Sequence, residues 1–278
     1  LIGVLLGLRI GIAVLDELAD MRPDRAAVPR NPPLLGQVAL ESVAFETRDG
    51  VRVSGWYAPS QNGAAVILGH GYGGNRQQLL PEAGVLSAQG YGVLLFDYRA
   101  HGESGGDVST FGDLERNDVR AALDFASSRP GVDPGRLGLF GFSMGALPIA
   151  IVAAEDRRVR AVALGGVTSS MLDACVDEAG RYGWLLGGPV ALTLKASGVR
   201  LGEVRADDAA ARLAGRSLLV IQGEHEDFRL AARARQVYAA AKSPKQYLVV
   251  PNAGHGGYIE ADPNNYPAAL VSFFRAAL

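Results

Sequence analysis

Six short apolar runs recur along the chain, at residues 64–68, 92–96, 137–140, 159–164, 217–221 and 246–250. A near-continuous apolar run of four to seven residues fits a strand covered on both faces, because a solvated face would impose alternation with polar residues. Between the runs lie segments of helical length and periodicity, at 79–89, 114–127, 146–155 and 231–241, with a last one at 265–277. Strand–helix alternation implies right-handed crossovers and an open, doubly wound, mostly parallel sheet, so the fold class is α/β. Ahead of this series, residues 43–48 and 51–57 alternate in polarity and meet at Asp49-Gly50, a hairpin turn pair. One interval breaks the rhythm. The stretch from 164 to 217 is too long for an ordinary connection. Helices at 171–186 and 190–197, broken at Gly187-Gly188-Pro189, read as a small helical cap (about 167–205) over the carboxyl ends of the strands.

The amino terminus stands apart. The chain opens on Leu1 without an initiator Met, which reads as a trimmed start, and an apolar run ends at Leu15. A spanning helix needs roughly 20 residues. Gly3, Gly7 and Gly11 share one helical face, a spacing that lets two helix backbones approach closely. The run therefore reads as a membrane-associated or docking helix (1–20), with self-association as the other use of that face. A signal-peptide core fits less well, because Asp16, Glu17 and Asp20 follow where a cleavage site would stand. A Pro-rich linker (21–40) then leads to one α/β domain (41–278). Arg22, Arg25 and Arg30 hint at a cytoplasmic domain.

Charge excludes some functions. Lys+Arg is 27 against Asp+Glu 29, a formal charge of −2, so no electropositive surface for nucleic acid is expected. Cys175 is the single cysteine, so no intrachain disulfide can form; with four histidines there is little material for a metal cluster. No metal or organic cofactor is expected.

The chemistry is carried by Gly141-Phe142-Ser143-Met144-Gly145, which follows an apolar strand and precedes a helix. This is the context a nucleophile elbow requires: a turn so tight that the Ser143 hydroxyl stands clear of the sheet. A tetrahedral intermediate needs two donors fixed where its oxyanion appears. The Met144 N–H, just after the nucleophile, is one. The Tyr72 N–H, in the glycine-rich loop His70-Gly71-Tyr72-Gly73-Gly74 after a strand, is the other. That loop lacks the spacing of a nucleotide-phosphate site.

A serine hydroxyl needs a positioned imidazole to take its proton. Of the four histidines, His255 lies in a loop after the last strand, and the order Ser, acid, His fits the elbow pattern. His70 reads as a brace of its loop, His101 as a turn brace, and His225 as part of the acid loop. That loop, Gln222-Gly223-Glu224-His225-Glu226-Asp227, follows a strand and offers Glu226 or Asp227 to orient His255.

These motifs together resemble the α/β-hydrolase superfamily, over roughly residues 41–278, and most closely its small bacterial serine-esterase and serine-aminopeptidase-like branch. The resemblance is carried by Thr47-Arg48-Asp49-Gly50-Val51, His70-Gly71, Asp97-Tyr98-Arg99-Ala100-His101-Gly102, the Ser143 elbow and Gly254-His255. It implies a serine hydrolase acting on small-molecule carboxylic esters of short to medium acyl chain. A peptidase or amidase, a thioesterase or acyltransferase, and a ligand-binding or membrane-surface interaction protein on the same fold with little turnover are the alternatives. The family places an Asp three residues after the loop glycine. Here that position is Glu226, and Asp227 is one later. Gap-free spacing favours Glu226; residue type favours Asp227, towards which the reading leans. The acyl pocket is expected to be lined by Phe142 beside the nucleophile and by Trp184, Leu185 and Leu186 of the cap.

Overall fold

The structure, a computed structural model, describes residues 2–242 and 244–278, with the side chains of 2–6 and 181 left aside. Helix α1 (Ile2–Asp20) is followed by a two-residue-per-strand hairpin, β1 (Leu34–Leu35) and β2 (Val38–Ala39). The main sheet then begins with β3 (Glu41–Glu46) and β4 (Arg52–Ala58) and continues through β5 (Ala65–Gly69), α2 (Leu80–Ser87), β6 (Gly92–Phe96) and α3 (Glu115–Ser127). After β7 (Leu137–Phe142) come α4 (Ala146–Glu155) and β8 (Val159–Gly165). The inserted helices are α5 (Met171–Glu178), α6 (Trp184–Ala196) and α7 (Ala206–Ala211). The chain closes with β9 (Ser217–Gly223), α8 (Phe228–Ala240), β10 (Lys245–Val250), α9 (Tyr258–Ala261) and α10 (Asn265–Ala277).

Eight strands form one sheet in the order β10-β9-β8-β7-β5-β6-β4-β3. All pairings from β10 to β6 are parallel, and the β4–β6 and β3–β4 pairings are antiparallel. Side chains alternate between two buried layers. Along β5, Ala65 and Ile67 enter the layer under α3 and α4, while Val66 and Leu68 enter the layer under α2 and α10. The carboxyl ends of β5, β7, β9 and β10 release the loops that hold His70, Ser143, Glu226 and His255.

One sequence expectation needs correction. The cap helices do not break at Gly187-Gly188-Pro189; α6 runs through all three. The break lies at Gly180 and Gly183, both at positive φ (57° and 44°). A Cβ on Gly187 would sit 2.6 Å from the Cys175 carbonyl, so a glycine here lets α6 lie against the backbone of α5. The domain supplies partners along the Pro-rich linker 21–40. Met21 is buried and its carbonyl accepts from the Ser109 N–H (2.7 Å). The Arg25 guanidinium donates to the carbonyls of Ser104 and Gly106, and the Asn75 amide donates to those of Ala26 and Ala27.

Helix α1 lies against α6. Gly7 and Gly11 have nothing within 4 Å of where a Cβ would stand, so neither marks a helix contact, while Leu8, Ile12 and Leu15 are exposed. No helix among the described residues is long and apolar enough to cross a membrane.

Candidate active site

The turn from β7 into α4 is forced by close packing. A Cβ on Gly141 would lie 2.6 Å from the Ala146 Cα, and one on Gly145 would lie 2.3 Å from the His70 carbonyl oxygen. Neither approach is compatible with a side chain, so both glycines of the pentapeptide are required by sterics. Between them Ser143 adopts φ 51°, a left-handed conformation that costs on the order of 1 kcal/mol for a non-glycine residue. The strain is held by a three-residue 3₁₀ turn (Ser143–Gly145) leading into α4, and it lifts the hydroxyl to the rim of the sheet.

There the Ser143 Oγ lies 2.8 Å from His255 Nε2. On the other side of the imidazole, Nδ1 lies 3.1 Å from Glu226 Oε2. The Glu226 side chain is 4% exposed, whereas that of Asp227 is 55% exposed. Asp227 does different work: it is the N-cap of α8, its Oδ1 accepting from the Arg229 N–H at 2.9 Å. The lean towards Asp227 is thus corrected. A helix begins at residue 228, and the residue before it is committed to capping, so the carboxyl one position earlier is left to turn inward. The acid and histidine loops meet at Gly223, where a Cβ would lie 2.1 Å from the Gly254 carbonyl oxygen.

The loop after β5 is held against Ser143. An ideal Cβ on Gly71 would be 3.1 Å from the Ser143 Cβ, and Tyr72 and Met144 both line the adjoining cavity. His70 braces this loop from below. Its Nε2 accepts from the Tyr98 N–H (3.0 Å), so Nδ1 carries the proton and donates to the Gly71 carbonyl (2.7 Å). Complete burial pushes the His70 pKa down to about 4, which fixes the neutral form. His101 is also buried, with Nδ1 2.9 Å from the Arg99 carbonyl, and His225 is exposed. Neither is placed to serve Ser143.

A cavity of about 230 Å³ opens beside Ser143 and His255. Its apolar lining comes from Phe111, Met144, Leu147, Met171, Ala174 and Leu230, with Tyr72 at one side. The pocket expected from the cap is corrected here. Trp184 and Leu185 are 62% and 50% exposed, Leu186 is half-buried, and none of the three lines the cavity. They lie on the helix that packs with α1, whereas α5 presents Met171 and Ala174 to the site. Phe142 is buried behind His255, ring centroids 5.1 Å apart, and supports the imidazole instead of flooring the pocket.

Sequence reasoning missed the acidic part of this cavity. Glu17 and Asp20, from the end of α1, and Glu178, from the end of α5, line it as well. The Tyr72 hydroxyl ties α1 to the loop after β5 by donating to the Asp20 carbonyl (3.0 Å) and to Asp20 Oδ1 (3.1 Å). The acids ending the amino-terminal apolar run were the available signal, but only the packed helix shows where they point. Cys175 lies buried beneath them, its thiol pushed up to about 12 by burial and then by Glu17 and Glu178, so it is no nucleophile.

A parallel sheet with a strained serine turn, an imidazole and a carboxyl at its carboxyl edge defines an α/β hydrolase. The comparisons with known proteins agree. Residues 60–174 match the family model for serine aminopeptidase, S33. An uncharacterized protein of Mycobacterium tuberculosis is 35% identical over 220 residues, 78% of this chain and 73% of that protein. The uncharacterized protein YfhR of Escherichia coli is 29% identical over 86% of this chain and 82% of its own length. Among solved structures, the Pyrococcus furiosus esterase Pf2001 superposes with a TM-score of 0.75 at 23% identity, covering 92% of this chain and 99% of that one. The chain belongs to the α/β-hydrolase superfamily, and it is a hydrolase.

Proposed function

We propose that the protein hydrolyses carboxylic esters of short to medium acyl chain through a covalent acyl-enzyme on Ser143. The observation that carries this reading is the continuous chain Ser143 Oγ, His255 Nε2, His255 Nδ1, Glu226 Oε2, at 2.8 and 3.1 Å. In the first step the Ser143 oxygen attacks the ester carbonyl while its proton passes to His255 Nε2. Glu226 holds the imidazole with Nδ1 protonated and stabilises the imidazolium that forms. The Tyr72 and Met144 backbone N–H groups face the developing oxyanion. His255 then returns its proton to the leaving alcohol, and the acyl-enzyme is cleared by a water that the same imidazole deprotonates.

The short apolar lining from Leu147, Met171, Ala174 and Leu230 supports a modest acyl group rather than a long lipid chain. The structural likeness to an esterase supports the ester class. The test is labelling with a fluorophosphonate together with p-nitrophenyl ester turnover. One adduct on Ser143, and loss of both signals in Ser143→Ala, is the expected result. Turnover that survives Ser143→Ala would refute the reading. Faster cleavage of aminoacyl anilides or acyl thioesters than of matched esters would move the substrate class without moving the residues.

A further inference from the structure

The cavity beside Ser143 carries negative charge that hydrolysis of a neutral ester does not use. Glu17, Asp20 and Glu178 line it together with Ser143 and His255. Asp20 is engaged by the Tyr72 hydroxyl. Glu17 differs: the residue is only 8% exposed, opens on the cavity, and its carboxyl has no hydrogen-bond or ion-pair partner among the described residues. Among the described residues, neither Lys nor Arg lines the space to neutralise it. A carboxyl taken out of water without a partner is costly, and a cationic ligand group removes that cost. Burial first, then Glu178 and Asp20, push the Glu17 pKa up to about 7; burial and Asp20 raise that of Glu178 as well. The remaining wall suits a cation too. The rings of Tyr72 and Phe111 stand with centroids 5.7 Å apart in the same cavity, and aromatic faces attract positive charge. Among the described residues no three His, Cys, Asp or Glu side chains converge to hold a metal ion, so the geometry favours an organic cation. All three acids lie outside residues 60–174, the stretch matched by the family model.

We infer that this cavity selects esters carrying a positively charged nitrogen, with Glu17, Glu178 and Asp20 as counter-charge and Tyr72 and Phe111 as the ring wall. The inference rests on the ester-hydrolase reading for its chemistry but not for its binding.

Two isosteric pairs locate the nitrogen. Butyrylcholine against 3,3-dimethylbutyl butyrate places the charge on the leaving alcohol; 6-aminohexanoyl against heptanoyl p-nitrophenyl ester places it on the acyl group. At pH 8 the ratio of kcat/KM, cationic over neutral, is expected to be about tenfold or more in one pair, from one or two charge-assisted contacts. That ratio should fall towards one in Glu17→Gln and in Glu178→Gln. Ratios at or below one in both pairs, or a ratio unchanged in both variants, would overturn the inference while leaving the esterase reading standing. If no ester is turned over, the esterase reading is the one that fails. The inference is then decided by calorimetry on Ser143→Ala with hexyltrimethylammonium, hexylammonium and hexanol. Tighter binding of an ammonium compound, lost on adding Glu17→Gln, supports it; equal binding of all three overturns it.

Discussion

The floor and the roof of the cavity are built on different principles. The floor consists of loops at the carboxyl ends of β5, β7, β9 and β10; the first three strands are almost wholly buried, and β10 is the half-exposed edge of the sheet. Its groups are positioned by local sterics, such as the glycines around Ser143 and the contact at Gly223. The roof is made by α1, α5 and Leu230 of α8, brought together by tertiary contacts: Tyr72 with Asp20, α1 against α6, and Arg233 of α8 with Asp177 of α5 at 2.8 and 3.2 Å. The floor holds Ser143, His255 and Glu226 in a tightly hydrogen-bonded arrangement. Among the described residues, the roof leaves the Glu17 carboxyl without a hydrogen-bond or ion-pair partner. In the proposed reading, rigid, short-range geometry serves the reaction, and an electrostatically incomplete surface faces the incoming ligand.

The largest effect should come from the floor. Ser143→Ala is expected to lower kcat/KM for p-nitrophenyl esters by about 10⁵-fold or more, measured by initial rates. Glu226→Gln should follow, with a loss of roughly a thousandfold, because it withdraws the charge that stabilises the imidazolium. Asp227→Ala separates the two neighbours. It should leave kcat within about threefold and cost about 1 kcal/mol of stability through the lost N-cap, read from denaturant melts. A large kcat loss in Asp227→Ala with a small one in Glu226→Gln would invert the assignment.

The roof should respond through selectivity and pH. Met171→Trp fills the cavity and is expected to raise KM for the longest accepted acyl chain about tenfold, whereas Trp184→Ala should change it less than about twofold. Equal effects would mean that α6, not α5, faces the acyl group. The smallest effect concerns stability. The Glu17 pKa of about 7 in the folded chain lies above its ordinary value of 4.5. The folded state therefore holds that proton more tightly, and this stabilisation is complete below pH 4.5 and is lost as pH rises through about 7. Glu17→Gln lacks the titration, so its Tm relative to the parent protein should climb by a few degrees between pH 5 and pH 8. A constant difference would mean that Glu17 is ionised throughout.

The sheet and the floor were legible in the sequence because their causes are local. Apolar runs mark β5 to β10, and the Gly141–Gly145 pentapeptide and Gly254-His255 lie close to the strands that position them. The choice between Glu226 and Asp227 depended on where α8 begins, a one-residue question that composition does not decide. The roof was not legible for a different reason. Residues 171–196 are apolar on several faces, so the pattern does not say which face covers the site, and the tie between Asp20 and Tyr72 spans 52 positions. A helix read as an anchor or docking element contributes its terminal acids to the cavity only through that packing.

The central claim is that Ser143, His255 and Glu226 act as one unit. Its most direct test is a double-mutant comparison of kcat/KM for one p-nitrophenyl ester across His255→Ala, Glu226→Gln and the two combined. Acting only through the imidazole, Glu226 should add nothing once His255 is gone, so the double variant should match His255→Ala. Losses that multiply would show that Glu226 works independently of His255 and would contradict the arrangement.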